Sequence, residues 1–195
     1  MVLPNATLFP KAMLPLRIFE PRYREMLNWC LERQRMFCIA LLKPDVQDAR
    51  STDDFHSVAG LGLVRACVAH PDGTSDLVLQ GLTRVRFTGF LQETPFWIAA
   101  IDELQVQQAP AGEAATLIAE LLHVCANLRN NGLEVPATLD EQLAKISDPD
   151  MLGNIIAHTF LFDAQRRQAV LEKVSVAARL RALIQHIREE MSPGS

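Results

Sequence analysis

The feature that most constrains the fold is a change in the spacing of apolar residues near Pro110. Up to about Gln108, apolar residues alternate with polar ones or form short runs between turn residues, which is typical of β-strands. From Ala111 onward they recur every three to four residues, which is typical of amphipathic helices. The pattern predicts an α+β fold, in which residues 1–110 form a barrel-like sheet and residues 111–195 form a helical bundle.

Within the first part, one helix interrupts the strands. Pro21 suits the first position of a helix over 21–35, where a missing N–H has no consequence. Turn residues from His70 to Thr74 predict a hairpin between strands over 61–70 and 76–80. A separate strand over 84–91 is predicted to turn Val85, Phe87 and Leu91 inward and to leave Arg84 and Arg86 on a solvated face.

The second part contains a series of predicted helices. An apolar stripe over 117–128 ends at Asn130-Asn131-Gly132, and a short helix follows over 138–146. Asp148, Asp163 and Ser175 each suit the N-cap of a further helix. Ile184 belongs to the inward stripe of the last of these helices, and residues 192–195 are expected to be a loose tail.

Composition excludes several classes of protein. The formal charge of −4 over 195 residues argues against broad non-specific binding of nucleic acid. The longest apolar run, residues 36–42, is far shorter than the ~20 residues that a bilayer requires. The first residues lack the basic region of a signal peptide, and the four cysteines are widely spaced. We therefore predict a cytoplasmic protein with reduced thiols.

No motif in the sequence indicates a catalytic site, a cofactor site or a metal site. Gly60-Leu61-Gly62 begins like a dinucleotide-binding motif, but a strand follows it, so a bulge or a close approach between strands is the better interpretation. There is no P-loop and no GxSxG motif. Asp53, Asp54 and His56, and the pair His123 and Cys125, lack the ligand number and spacing of a metal site. We expect none of the three.

Two other functions stay open at this stage. Arginines near aromatic residues, such as Arg84 and Arg86 beside Phe87, are compatible with an RNA-binding surface, although acidic neighbours weaken it. A hydrolase site that assembles only in space would need a serine or cysteine within hydrogen-bond reach of a histidine.

Several short motifs in a fixed order resemble the N-terminal domain of Lon protease, in the stand-alone bacterial form. They are Leu8-Phe9-Pro10, then Leu14-Pro15-Leu16, Ile18-Phe19-Glu20-Pro21-Arg22-Tyr23, the hairpin Pro71-Asp72-Gly73-Thr74, Phe96-Trp97, Asp148-Pro149, and Ala178-Arg179-Leu180. The resemblance covers about residues 2–191. One departure is Lys11, where the family usually has glycine; if that position has a positive φ, the lysine is strained or the turn differs.

The resemblance implies a PUA-like pseudo-barrel over 1–110 with one inserted helix, followed by the helical bundle. It also implies a non-enzymatic module that recognises polypeptides, because the ATPase and Ser-Lys protease modules of full-length Lon are separate from this domain. We therefore expect unfolded or partner polypeptides as ligands, no membrane, little affinity for nucleic acid, and a monomer or weak homodimer. The residues expected to contact the polypeptide are Phe9, Leu14, Arg17, Phe19, Arg22 and Trp97.

Overall fold

A computed structural model describes residues 1–130 and 143–191. The described residues form six strands, β1 (Val2–Leu3), β2 (Met13–Ile18), β3 (Met36–Leu41), β4 (Val58–Ala69), β5 (Ser75–Gln92) and β6 (Ile98–Glu103), and five α-helices, α1 (Pro21–Leu31), α2 (Ala111–Asn130), α3 (Pro149–Phe160), α4 (Ala164–Leu171) and α5 (Val176–Met191). The chain divides into two compact units, Met1–Leu104 and Gln105–Ser195. The predicted α+β class is confirmed.

The first unit is built on one mixed sheet. Its strand order is β1-β3-β4-β5-β2, and β6 pairs with the second half of β5 beyond the end of β2. Only the β1–β3 pair is parallel. The long strand β5 therefore organises the sheet, since β4 lies along one side and β2 and β6 share the other.

Residues before β2 cross closely over this sheet. Leu8 and Phe9 are fully buried, and a Cβ atom added to Gly60 or Gly81 would lie 2.0 Å from the Leu8 carbonyl oxygen or 1.9 Å from that of Phe9. Glycine is required at both positions because the crossing backbone occupies the space of a side chain. This confirms the close-approach interpretation of Gly60-Leu61-Gly62, and a register shift between Leu61 and Gly62 adds the bulge.

The crossing segment ends in a tight turn that contains Lys11. The Ala12 N–H donates to the Phe9 carbonyl oxygen at 3.1 Å, Pro10 occupies the second position, and Lys11 has a φ of 70°. A positive φ at the third position is the mark of a type II turn, in which glycine is preferred. Of the two alternatives raised for Lys11, a strained lysine or a different turn, the first is correct, because the lysine adopts the conformation that glycine prefers.

Helix α1 covers one face of the sheet, and its apolar face is the one predicted. Tyr23, Met26, Leu27 and Cys30 are buried in a core with Leu8, Ile39 and Leu79. The Tyr23 hydroxyl donates to the Val2 carbonyl oxygen at 2.8 Å and fixes α1 to β1. The helix ends at Leu31 rather than Arg35, which has a φ of 59° and has left the helical conformation.

The prediction of separate strands over 76–80 and 84–91 is wrong, because both segments belong to the single strand β5. Gly81 does not end a strand; it leaves room for the crossing segment, and pairing with β4 continues past it. Register shifts follow between Phe87 and Gly89 and between Phe90 and Gln92. The first of these shifts changes the alternation, so Phe90 faces inward and Leu91, predicted inward, is 79% exposed.

The second unit contains the predicted caps. The Asp148 carboxylate accepts from the Asp150 N–H at 2.9 Å, and the Asp163 carboxylate accepts from the Arg166 N–H at 2.7 Å. Ile184 is buried on α5, as predicted. Arg179 is fully buried, donates to the Lys173 carbonyl oxygen, and forms an ion pair with Asp150. Of the predicted stop at Asn130-Asn131-Gly132, only Asn130, the last residue of α2, is described. Most of the predicted helix over 138–146 and the tail over 192–195 lie outside the described residues.

Candidate functional site

The first unit contains an apolar cavity of about 280 Å³. Its walls come from elements that are far apart in the sequence: Met26 and Trp29 of α1, Phe37 and Cys38 of β3, Phe87 and Phe90 of β5, and Ile98 and Ile101 of β6. Met1 and Val2 at β1 complete the lining. The cavity therefore lies where β1 and β6, edge strands on opposite sides of the sheet, approach each other.

Aromatic rings form much of this wall. Phe55 lies at the centre of a group of edge-to-face contacts, with ring centroids 6.0 Å from Phe87, 5.8 Å from Phe90 and 5.6 Å from Trp97. Phe90 and Trp97 are 5.3 Å apart. These distances and angles fall in the favourable range for aromatic pairs. The rings therefore hold one another in place, so the wall is preformed.

The mouth of the cavity is bordered by side chains that reach solvent. Trp29 is 36% exposed and Ile101 is 38% exposed. The Arg33 guanidinium lies 4.2 Å from the centroid of the Trp29 ring, and Arg33 also donates to the Trp29 carbonyl oxygen at 2.9 Å. This cation–π contact fixes the indole at the mouth. Apolar surface that is held open in this way can bind another apolar side chain.

The two thiols of the cavity wall are not reactive groups. Burial raises the pKa of Cys38 to about 11, and burial also raises the pKa of Cys30 above its ordinary value. A nucleophilic cysteine needs the opposite shift, toward the thiolate at neutral pH. The cavity therefore offers shape and apolar contact, and these thiols do not supply nucleophilic chemistry.

The six residues predicted to contact a polypeptide do not lie together. Trp97 lines the cavity, and it shares with Arg22 a smaller adjoining hollow of about 180 Å³. Phe9 belongs to the crossing segment, is fully buried and presents no surface to a ligand. Leu14 is half-buried against the core between α1 and the sheet.

The remaining two predicted residues lie at the surface of the first unit. Arg17 borders a shallow apolar hollow with Leu16, Val68 and Val78, and the side chain of Phe19 is 62% exposed. The guanidinium of Arg22 is engaged by two carboxylates, those of Glu20 and Asp48, each at 2.9 Å.

Most of the cavity wall was not predicted from the sequence. Trp29, Phe55, Phe90 and Ile101 were not proposed as contacts. Their aromatic or β-branched character was visible, but alternation within each segment could not show that they meet. The register shift between Phe87 and Gly89 was needed to bring Phe87 and Phe90 onto one face.

The structure also accounts for the arginines and acidic residues considered for other functions. Arg84, predicted to be solvated, is 1% exposed, and burial lowers its pKa to about 10, so it cannot contact a phosphate backbone. The Asp54 carboxylate accepts from the Arg50 and Ser51 N–H groups at 2.7 Å and caps the short 3-10 turn Thr52–Asp54.

Histidine rings and candidate metal ligands bear on the hydrolase and metal sites considered from the sequence. Among the histidine rings, His70 lies within hydrogen-bond distance of Asp76, His123 of Asn127 and His186 of Glu189. Across residues 1–130 and 143–191, no three histidine, cysteine, aspartate or glutamate side chains converge as metal ligands. Over the same residues, no helix has the length and apolar character needed to cross a bilayer.

Comparison with known proteins places the chain in a family. The family model of the ATP-dependent protease La (LON) substrate-binding domain matches residues 1–189. The Lon protease of Dictyoglomus thermophilum is 22% identical over 187 residues, which cover 96% of this chain and 24% of that protein. The Lon protease of Desulfosudis oleivorans is 23% identical, with 98% and 24% covered. The chain thus spans about a quarter of the length of these relatives.

Solved structures show the same fold. The N-terminal domain of the Mycobacterium avium complex Lon protease matches with a TM-score of 0.75 and 18% identity, over 98% of this chain and 97% of that one. The Lon N-terminal domain protein from Xanthomonas campestris matches with a TM-score of 0.67 and 17% identity, over 95% of both chains. From the match over residues 1–189, the chain belongs to the ATP-dependent protease La (LON) substrate-binding domain family.

Proposed function

We propose that this chain is a non-catalytic module that binds exposed apolar side chains of polypeptides in the aromatic cavity of its first unit. The observation that carries the proposal is a preformed cavity of about 280 Å³ with rings from α1 and β5 in its wall and a mouth at Trp29 and Ile101. Membership of a substrate-binding domain family supports it. The relatives named above are proteases, and we propose that this part contributes recognition rather than bond cleavage.

The cavity has room for a single bulky apolar side chain. A cavity of about 150 Å³ holds a benzene ring, and pockets for drug-sized ligands start near 300 Å³. Burying one phenylalanine or leucine side chain contributes about 1.5–3 kcal/mol. Binding through one such contact is weak and reversible, as suits a module that samples many unfolded chains.

The residues predicted from the sequence have different roles under this proposal. Trp97 contacts the bound side chain directly, and Arg22 orients the polypeptide from the adjoining hollow. Arg17 and Phe19 belong to a different part of the surface and give a second, independent contact at most. A monomer or weak homodimer and a cytoplasmic location stay predictions.

A titration with a permanently unfolded protein tests the proposal. Fluorescein-labelled, reduced and carboxymethylated α-lactalbumin is expected to bind saturably, measured by anisotropy. Ile101→Asp places a carboxylate at the mouth and should weaken this binding about 10- to 100-fold, from the loss of one buried apolar contact. Val68→Asp is the matched control, since Val68 is 60% exposed and lies in the shallow hollow beside Arg17.

Each result of that titration has a definite meaning. Weakening by the Ile101 variant alone supports the cavity. Weakening by the Val68 variant alone moves the site to the hollow beside Arg17. Absence of saturable binding by the unmodified chain contradicts the proposed function. Turnover of the probe, or affinity for RNA that falls steeply with added salt, would instead support one of the alternatives raised from the sequence.

A further inference from the structure

The aromatic cavity coincides with a gap in the sheet. Strands β1 and β6 are edge strands on opposite sides of the sheet, yet Val2 of β1 and Ile98 of β6 line the same 280 Å³ space. The sheet must therefore curve until these two edges face each other across the cavity. A barrel closed by hydrogen bonds would join these ends directly, and here side chains fill the interval.

One side of this gap is an unpaired strand edge. β6 hydrogen-bonds to β5 along its whole length, and within residues 1–104, which the structure describes without a break, no strand pairs with its other edge. The exposed edge begins with the apolar residues Ile98 to Ile101. Edges of this kind accept an added strand unless charges or bulges protect them. In β6 the charges are confined to Asp102 and Glu103 at its end, and both bulges lie in β5.

We propose, on the basis of the function proposed above, that the cavity takes an extended polypeptide segment that pairs with β6 and inserts one bulky apolar side chain beside Ile101. Backbone hydrogen bonds to β6 would add affinity that does not depend on sequence, and the cavity would select the inserted side chain. A helix, about 10–12 Å in diameter with its side chains, presents no backbone groups for such pairing.

The charges on β6 specify the rest of the ligand. Ala99, Ile101 and Glu103 alternate along one side of the regular strand, and Asp102 and Glu103 are exposed at its end. A segment running antiparallel to β6 places the residue two positions before its inserted side chain opposite Glu103. We therefore expect a lysine or arginine there, since opposite charges across a strand pair are favourable. Glutamate at that position would be repelled.

Backbone methylation of a peptide ligand tests strand pairing. The probe is a short, fluorescein-labelled peptide of threonine and serine with a central phenylalanine and a lysine two positions before it. N-methylation at every second residue should weaken binding about two- to tenfold per position, because each methyl removes one backbone donor. Methylation at the intervening residues, whose N–H groups point away from β6, is the control and should have a smaller effect.

The outcomes separate this inference from the proposed function. Binding that depends on Ile101 but shows no alternation with N-methylation overturns strand pairing and leaves the cavity proposal intact. A peptide that fails to bind at all, with the unfolded probe also failing, overturns both. Alternating sensitivity together with loss of binding in the Ile101→Asp variant supports both.

A charge reversal tests the orientation. Glu103→Lys should change the preferred peptide from lysine to glutamate at the position two before the phenylalanine, with each matched pair about two- to fivefold tighter than the mismatched pair. Glu25→Lys makes the same change of charge at an exposed position on α1 and should leave the preference unchanged. Reversal of preference only when the charged residue follows the phenylalanine would overturn the antiparallel orientation.

Discussion

Replacement of Lys11 by glycine should stabilise the first unit. Lys11 occupies the third position of the turn that closes the crossing segment, with a φ of 70°. Its N–H donates to the Gly81 carbonyl oxygen at 2.8 Å, and the Gly81 N–H donates to the Ala12 carbonyl oxygen at 2.9 Å. These bonds fix the backbone and do not involve the exposed lysine side chain. Glycine can therefore keep every one of them without the steric strain of a Cβ atom.

Two opposing contributions set the size of the effect. The left-handed conformation costs an ordinary residue about 1–2 kcal/mol relative to glycine. Glycine has more freedom in the unfolded chain, which offsets about 0.4–1 kcal/mol of that gain. The free energy of unfolding should therefore rise by about 0.5–1 kcal/mol. With a urea m-value of about 2 kcal/mol/M, the midpoint moves upward by about 0.3–0.5 M.

Tryptophan fluorescence during urea unfolding measures this change directly. Both tryptophans of the chain, Trp29 and Trp97, lie in the first unit, so the signal reports on that unit. Lys11→Ala is the matched control, because it removes the charged side chain but keeps the Cβ atom and should give no gain. Equal midpoints for the glycine and alanine variants would refute the argument from backbone strain.

Three further substitutions or modifications test other parts of the structure. Gly81→Ala should destabilise the first unit by at least about 3 kcal/mol, because the new Cβ would lie 1.9 Å from the Phe9 carbonyl oxygen. Gly89→Ala is the control in the same fluorescence assay and should be close to neutral, because no atom lies within 4 Å of the Cβ that it adds. Ile184→Asp should cost about 3–5 kcal/mol and lower the melting temperature followed by far-UV circular dichroism; an unchanged melt would contradict its burial on α5. The pKa of Cys38 is raised from 9.0 to about 11, so its alkylation near pH 8 should be about 100-fold slower than that of a free thiol. The rate, measured by mass spectrometry, should increase with pH until the pH passes about 11. A rate like that of a free thiol would show that the Cys38 thiol is not buried in solution.

Local chemistry made much of the fold predictable. Pro21 begins α1, the Asp148 and Asp163 carboxylates cap their helices, and Gly73 occupies the hairpin turn with a φ of 79°. Each of these signals acts within four residues, so no tertiary information was needed. The family resemblance also depended on such short motifs, and the match over residues 1–189 confirms it.

Features set by distant contacts were not predictable in this way. Gly81 resembled the end of a strand, and only the Phe9 backbone above it explains why a glycine lies within β5. Arg84 resembled a solvated residue by alternation, but the structure buries it. Arg65 fell on the apolar side of its strand by alternation, and a register shift between Val64 and Ala66 lets it reach solvent.

The cavity illustrates the same limit in a site of functional interest. Its wall requires the register shift between Phe87 and Gly89, which turns Phe90 inward, and it requires a sheet curved far enough for β1 to face β6. Neither the rotation nor the curvature has a local signature, because both depend on which residues are left unpaired between two strands. The same curvature leaves the edge of β6 open beside the aromatic rings. A backbone edge and an apolar cavity are thus adjacent for one structural reason, and an extended chain with a bulky side chain can use both at once.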